Sequence, residues 1–279
     1  MIDNYTRTQG IDLLEVIIEK IGPIFTFAQA YQIAKEMELS RQIVRNVLVK
    51  LTQSGWLTRL KRGLYVIQSP LYPEQIHPFA IAQALVSPMA ISHWYALAHH
   101  GFTTQIPPMV QASTPVKVVT PEMRSGEAYR PRGTAAWQVL DIEIEYVHVK
   151  EENFWGFTHE WVSSWHRVPI TDPERTLFDL IARSDLFGGI SMAIESISSN
   201  LERIDLPKLV QYAIRYDVGA YIKRLGWILV TSGANDDVLD PLLTYETQNY
   251  YLLDPQGSDQ GEPITRWNLY NNLPGGPHA

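Results

Sequence analysis

The chain contains no cysteine. That removes disulfides, thiolate metal sites and a cysteine nucleophile together, and nothing calls for an oxidising compartment. Charged residues are sparse at 19%, below the usual quarter. Long apolar runs are missing too. The most apolar stretch, 79–91, is interrupted by Gln83, Ser87 and Pro88, so no segment reads as spanning a bilayer. The N-terminal MIDNYTRTQG lacks the basic-then-apolar layout of a signal peptide, which points to a cytoplasmic protein with no membrane partner. Apolar residues still make up 45% of the 279. That is enough for a packed core and too much for wholesale disorder. The length suits one large domain or two ordinary ones.

Net charge is −7, unpromising for a nucleic-acid binder until it is divided. Residues 1–75 carry net +2 and residues 76–279 net −9. From Leu39 to Pro73 there are six basic residues (Arg41, Arg45, Lys50, Arg59, Lys61, Arg62) and no acidic one. Segregation of this kind marks a local anion-binding surface on an acidic protein.

Apolar spacing at Ile11, Leu14, Val16, Ile17, Ile18 and Ile21 predicts a first helix, stopped at Gly22-Pro23. Thr26 caps a second, running to about Met37, and Ser40 a third over 41–53, ended by Gly55. Two strand-like runs, 56–60 and 64–67, flank Lys61-Arg62-Gly63, where glycine supplies a positive φ. Three helices followed by a hairpin is winged helix-turn-helix order. The proline-marked segment 69–78 reads as a linker, giving a head of residues 1–75 and a body of residues 76–279. Phe79 and Ile81, just past the linker, are placed to dock on Trp56 or Tyr65 of the head.

In the body the patterning predicts helices near 79–86, 92–99, 173–183, 189–200, 207–216, 218–229 and 236–244, with strands over 110–119 and 137–149. The stretch 160–167 fits neither period. Helices and strands mix without regular alternation, so the class is α+β, a small winged helix-turn-helix followed by a larger mixed domain. The Gly-, Pro- and Asn-rich stretch from Asp254 is expected to fray.

On a helical wheel the third helix divides cleanly. Arg41, Gln42, Arg45, Asn46, Lys50, Thr52 and Gln53 fall on one half; Ile43, Val44, Val47, Leu48 and Leu51 fall on the other. Val49 alone sits within the polar arc. An ordinary surface helix explains the apolar stripe but not a polar face free of carboxylates. Arg reaches guanine O6/N7, and Asn and Gln reach adenine N6/N7. Arg59, Lys61 and Arg62 on the hairpin would meet flanking phosphates or the minor groove. Double-stranded DNA is the partner these residues suit.

Four segments add a family resemblance. Arg59-Leu60-Lys61-Arg62-Gly63-Leu64-Tyr65-Val66 closes the predicted winged helix. Ser92-His93-Trp94-Tyr95-Ala96-Leu97-Ala98-His99-His100-Gly101-Phe102-Thr103 is similar to a Ser-x-x-x-Ala-Leu-x-x-His-Gly-Leu-Thr block, with Phe102 in place of leucine. Asp172-Pro173-Glu174-Arg175-Thr176-Leu177-Phe178-Asp179-Leu180 is similar to an Asp-Pro-Glu-Arg-Thr-Leu-x-Asp-Leu helix. Arg224-Leu225-Gly226-Trp227 is similar to an Arg-Leu-Gly-Tyr helix end, with Trp227 for tyrosine. In this order, over about residues 10–245, they resemble the AbiEi antitoxins of abortive-infection type IV toxin–antitoxin systems. The resemblance implies a repressor of its own operon, bound to its promoter at inverted repeats. It also implies a C-terminal domain that counters a nucleotidyltransferase-like toxin, directly or indirectly.

Other clusters have plainer readings beside functional ones. Asp172, Pro173 and Glu174 suffice as N-cap, N1 proline and first-turn acid, and Arg175 and Asp179 as an i,i+4 pair. His93, His99 and His100 lie close in sequence, but zinc would need further ligands. Asp141, Glu143 and Glu145 alternate along a predicted strand and would share one face. A cation-dependent nuclease would need that trio and a lysine, and Lys150 falls on the opposite face. The acidic stretch 225–279, net −6, reads as solvated or as touching a basic surface. No catalytic residue, metal or cofactor is expected. Competing with the antitoxin are a stand-alone regulator with a ligand-sensing body and, behind it, the nuclease.

Overall fold

The computed structural model describes residues 2–105, 107–126 and 134–274. Local chemistry sets the first elements. Helix α1 (Ile2–Lys20) ends at Gly22, whose φ of +96° suits glycine. Strand β1 (Ile24–Thr26) leads into α2 (Phe27–Glu36) through a capping box between Thr26 and Gln29. Ser40 caps α3 (Arg41–Gln53), accepting from the Ile43 N–H at 3.3 Å. Strands β2 (Leu57–Lys61) and β3 (Leu64–Ile67) then form a hairpin around Arg62-Gly63, and β3 also pairs with β1 in an antiparallel sheet ordered β1-β3-β2. One face of this sheet, through Phe25, Leu57 and Ile67, shares a core with Leu13, Leu14, Ile17, Val44, Val47 and Leu48 of the helices.

The body follows as α4 (Pro78–Leu85), β4 (Ala90–Ile91), α5 (His93–His99), β5 (Val110–Thr114), α6 (Pro121–Ser125), β6 (Thr134–Val139), β7 (Ile142–His148), β8 (Phe157–Trp161) and β9 (Arg167–Thr171). Helices α7 (Pro173–Ala182), α8 (Ser191–Ser198), α9 (Leu206–Tyr216), α10 (Gly219–Thr231) and α11 (Asp236–Thr244) come next, then β10 (Tyr251–Leu252), β11 (Glu262–Ile264) and β12 (Leu269–Asn271). A six-stranded mixed sheet runs β6-β7-β5-β4-β9-β8. Helix α4 is tied to it by the Tyr146 hydroxyl donating to the Ala82 carbonyl at 2.7 Å. Helices α5 and α7–α11 gather a second core around Leu177, Phe178, Leu180, Leu225 and Ile228. The chain is therefore α+β. Among the described residues no helix is long and apolar enough to cross a membrane.

The segment expected to be one strand over 137–149 is a hairpin. Leu140 and Asp141 form its turn with φ of +52° and +59°, so Asp141 leaves the strand that carries Glu143 and Glu145. The unassigned stretch 160–167 contains the β8–β9 turn, closed by the Val162 N–H donating to the His166 carbonyl at 3.0 Å. The tail expected to fray from Asp254 is instead built into the body through residue 274. Strands β10, β12 and β11 make a small sheet, Trp267 is buried in the helical core, and the Asn272 amide spans the carbonyls of Asp254 and Ser258 at 2.8 and 2.7 Å. Residues 275–279 lie outside the described residues.

The linker joins two parts that share a core. Ile24, Leu60, Leu64 and Val66, on the second face of the head's sheet, form one buried cluster with Phe79, Ile81, Leu85, Ile91 and Val168. Phe79 thus packs with Leu60 and Leu64, while Trp56 and Tyr65, its expected docking partners, join the head's own core. Gly22 abuts the Trp165 indole, leaving no room for a β-carbon.

Candidate nucleic-acid interface

Helix α3 buries Val44, Val47, Leu48 and Leu51 and exposes Arg41, Gln42, Arg45, Asn46 and Lys50. The expected division of the wheel holds, apart from Ile43. That residue is 37% exposed beside the polar face, and Val49 is 48% exposed within it. Gln42 Nε2 donates to Asn46 Oδ1 at 3.0 Å, which holds the two amides as a unit along the face. The Arg41 guanidinium lies over the Phe27 and Tyr31 rings of α2, 5.7 and 5.8 Å from their centroids. Stacking fixes that cation at the α2–α3 corner without neutralising it.

The three hairpin cations have different surroundings. Arg59 is exposed, with its Nε donating to the Lys61 carbonyl at 3.3 Å, and Arg62 is exposed at the tip beside Gly63, whose φ is +76°. The register of β2 shifts between Arg59 and Lys61. Beyond that shift Lys61 Nζ donates to the Leu85 carbonyl at the end of α4, and burial lowers its pKa. Lys61 is exposed, and its ammonium links the hairpin to the body through that carbonyl. All eight expected DNA-binding residues lie on the exposed surface of α3 and the hairpin, Lys61 with its ammonium tied to the Leu85 carbonyl.

The body's motif residues are occupied inside the fold. Asp172 caps α7 by accepting from the Arg175 N–H at 2.8 Å, and its other oxygen accepts from the Tyr212 hydroxyl at 2.6 Å. Lys208 bridges Asp172 and Glu174 at 3.1 and 2.8 Å. Burial opposes the lysine's charge, but its hydrogen bonds to Glu174 and Asp172 outweigh that and raise its pKa. Arg175 is 2% exposed; it donates to Asp179 and to the carbonyls of Asn153 and Trp155, and stacks on the Trp155 ring. Such a network holds α7, α9 and the loop before β8 in one arrangement.

The His99 and His100 rings meet edge to face with centroids 5.1 Å apart, but each of the three histidines has its own polar partner. His93 is buried, with Nδ1 2.6 Å from Ser92 Oγ, which in turn accepts from Ser113. Burial pushes its pKa down to about 4, with the Asp179 charge opposing and the Arg183 and Arg175 charges reinforcing the shift. His99 meets Glu160 at 2.8 Å, and His100 Nε2 lies 2.7 Å from the Thr171 carbonyl. Of the carboxylate trio, Glu145 is buried and accepts from Gln111 at 2.8 Å, while Asp141 stands exposed in the hairpin turn. Lys150 meets Glu152 at 3.2 Å. Among the described residues no group of three His, Asp or Glu side chains could hold a metal ion.

The sequence pattern places Arg224 in a family-like helix end but gives neither it nor Lys223 a partner. Lys223 donates to the Leu242 and Leu243 carbonyls at the end of α11, and Arg224 donates twice to the Leu252 carbonyl at 3.0 and 2.9 Å. Adjacent cations amid an apolar helix were the available signal, since buried charges need partners.

No family model matches the chain, and no curated protein does. Among solved structures, the chain is similar to the RV2827C protein from Mycobacterium tuberculosis at a TM-score of 0.64 and 12% identity, over 95% of this chain and 92% of that one. At that identity the likeness shows the fold, mixed α+β across nearly the full length of both chains.

Proposed function

We propose that this protein is a DNA-binding repressor of its own promoter, with residues 1–75 acting as a winged helix-turn-helix. The observation that carries the reading is the exposed, carboxylate-free face of α3, where Arg41, Gln42, Arg45, Asn46 and Lys50 share one side of a capped helix. Inserted in a major groove, Arg45 and the Gln42–Asn46 pair would read base edges, and Arg59 and Arg62 would hold the flanking backbone. In the same reading the body is the non-enzymatic antitoxin half, which counters a nucleotidyltransferase-like toxin. The three AbiEi-like segments of the body support that part, and their buried residues there have packing and capping roles compatible with a scaffold.

The test is binding to duplex DNA from the region upstream of the protein's own gene, beside a scrambled duplex, at several salt concentrations. If about four to six phosphates are neutralised per chain, log K should fall against log[salt] with a slope of roughly −4 to −5. Arg45→Ala should narrow the gap between the two duplexes by about 1–3 kcal/mol. Absent or salt-independent binding overturns the reading.

A further inference from the structure

The corner where α2 meets α3 gathers two cations on one pair of rings. The Phe27 and Tyr31 rings of α2 lie nearly parallel, 13° apart, with centroids 6.4 Å from each other. The Arg41 guanidinium is almost equally far from both, and Lys35 Nζ stands 5.1 Å from the Tyr31 centroid. Both cations are exposed. Among the described residues neither pairs with a carboxylate: Glu36 is taken by Lys20, and Glu38 in the turn after α2 makes no ion pair. We propose that this corner is a phosphate seat, where Lys35 and Arg41 together hold one phosphate of the duplex backbone and the Phe27–Tyr31 pair positions them. The proposal rests on the DNA-binding reading. It extends that reading to Lys35, Phe27 and Tyr31, and it assigns Arg41 to the backbone rather than to a base.

Two like charges on one ring repel each other, and water screens that only in part. A group with a formal negative charge and several acceptor oxygens relieves the repulsion and satisfies both donors. Stacking leaves the in-plane N–H groups of a guanidinium free, so Arg41 can donate to a phosphate while its face stays on the rings. A guanine edge asks for something else, one guanidinium reaching in bidentate to O6 and N7. A second cation beside it adds nothing to that match, whereas a phosphate draws both. Position agrees with this division. Arg41 is the first residue of α3 and is tied back to α2, while Arg45, one turn on, stacks on no ring among the described residues. The Phe27 N–H donates to the Gly63 carbonyl at 2.8 Å, which brings the hairpin tip and Arg62 to the start of α2. From Phe27 to Lys35 the helix rises about 12 Å. A backbone strand lying along α2 would meet Arg62, then Arg41, then Lys35.

The experiment measures binding of full-length protein to the upstream duplex and to the scrambled duplex over a salt series. Lys35→Gln and Arg41→Gln should each weaken both duplexes by the same factor and lower the salt slope by about one. The preference for the upstream duplex should not change. Tyr31→Leu keeps both charges and should also weaken both duplexes alike. Tyr31→Phe should bind as wild type, because the ring and not the hydroxyl carries the contact. With Lys35→Gln and Arg41→Gln already in place, Tyr31→Leu should cost little more. A ring that acted only on the fold would lose as much there as in the wild-type background. Circular dichroism should be the same for every variant. Three results overturn the proposal while the DNA reading stands: a slope left in place by either charge variant, an upstream preference that Arg41→Gln narrows, or a full loss from Tyr31→Leu after both cations are gone. Wild-type protein that binds neither duplex, or binds without salt dependence, overturns the DNA reading and the corner with it.

Discussion

Gly226 and Trp267 share one space: the indole lies where a β-carbon on residue 226 would stand. Trp267 is 1% exposed, and packs into the core that α10 helps to form. Gly226→Ala should therefore destabilise by about 3 kcal/mol or more through overpacking. Trp267→Ala should cost about 3–5 kcal/mol through the cavity it leaves. The pair should not add: with the indole gone the methyl has room, and the double variant should fall close to Trp267→Ala alone. Urea unfolding of the four proteins checks this, and additive losses would contradict it.

The buried imidazole of His93 gives a dependence on acid with a definite sign. Its folded pKa lies near 4 against an ordinary 6.5, so the unfolded chain takes the proton first. The contribution is fully present above about pH 6.5 and is lost as pH falls toward 4, on the order of 3 kcal/mol. Asparagine tolerates the φ of +58° found there, so His93→Asn should fold and lose less stability than wild type between pH 7 and pH 5. Parallel slopes for the two proteins would count against the buried neutral imidazole.

Lys61 and Arg62 are neighbours with different surroundings: one is tied to the Leu85 carbonyl, the other sits at the hairpin tip. Lys61→Met should leave affinity for the upstream duplex and its salt slope nearly unchanged while lowering thermal stability, because it removes the donor to the Leu85 carbonyl. Arg62→Ala should weaken binding to all duplexes alike and reduce the slope by about one, with little effect on stability. The opposite pattern would mean that the hairpin releases the body when it meets DNA.

Deleting residues 1–75 uncovers the faces of Phe79, Ile81 and Leu85 that pack with Leu60, Leu64 and Val66. The isolated body is expected to aggregate, since it would expose a contiguous apolar patch. Recovery of 76–279 as a soluble, cooperatively folding monomer would show that the shared core is dispensable.

The sequence revealed most where one residue decides a local outcome. Ser40, Thr26, Asp172 and the Arg62-Gly63 turn each announce an element end through capping or φ preference, and the polar face of α3 follows from its period. It revealed least where distant residues decide. The hairpin turn at Leu140-Asp141 was hidden because a leucine at positive φ has no sequence signal. Glu145 reads as an exposed carboxylate until Gln111 is brought beside it by the parallel pairing of β5 with β7. Pro169 and the polar Thr158, His159 and Glu160 obscured β8 and β9, whose pairing only the sheet supplies. The tail reads as loose by composition, but Trp267 finds a slot that only Gly226, far back in the chain, provides.

Eight consecutive residues of α10, Ile222 to Leu229, are buried, so this helix needs cover on every side. Part of that cover is Trp267 and Leu269, and the Arg224 guanidinium is held by a carbonyl of β10. This sets an order of events at the ribosome. The head can gather its own three-helix core early, as N-terminal units do. The helical half of the body stays incomplete, with the side of α10 that Trp267 covers unshielded, until that residue has emerged. A chaperone that recognises exposed apolar helix would find its longest opportunity there, between synthesis of Ile222 and arrival of Trp267.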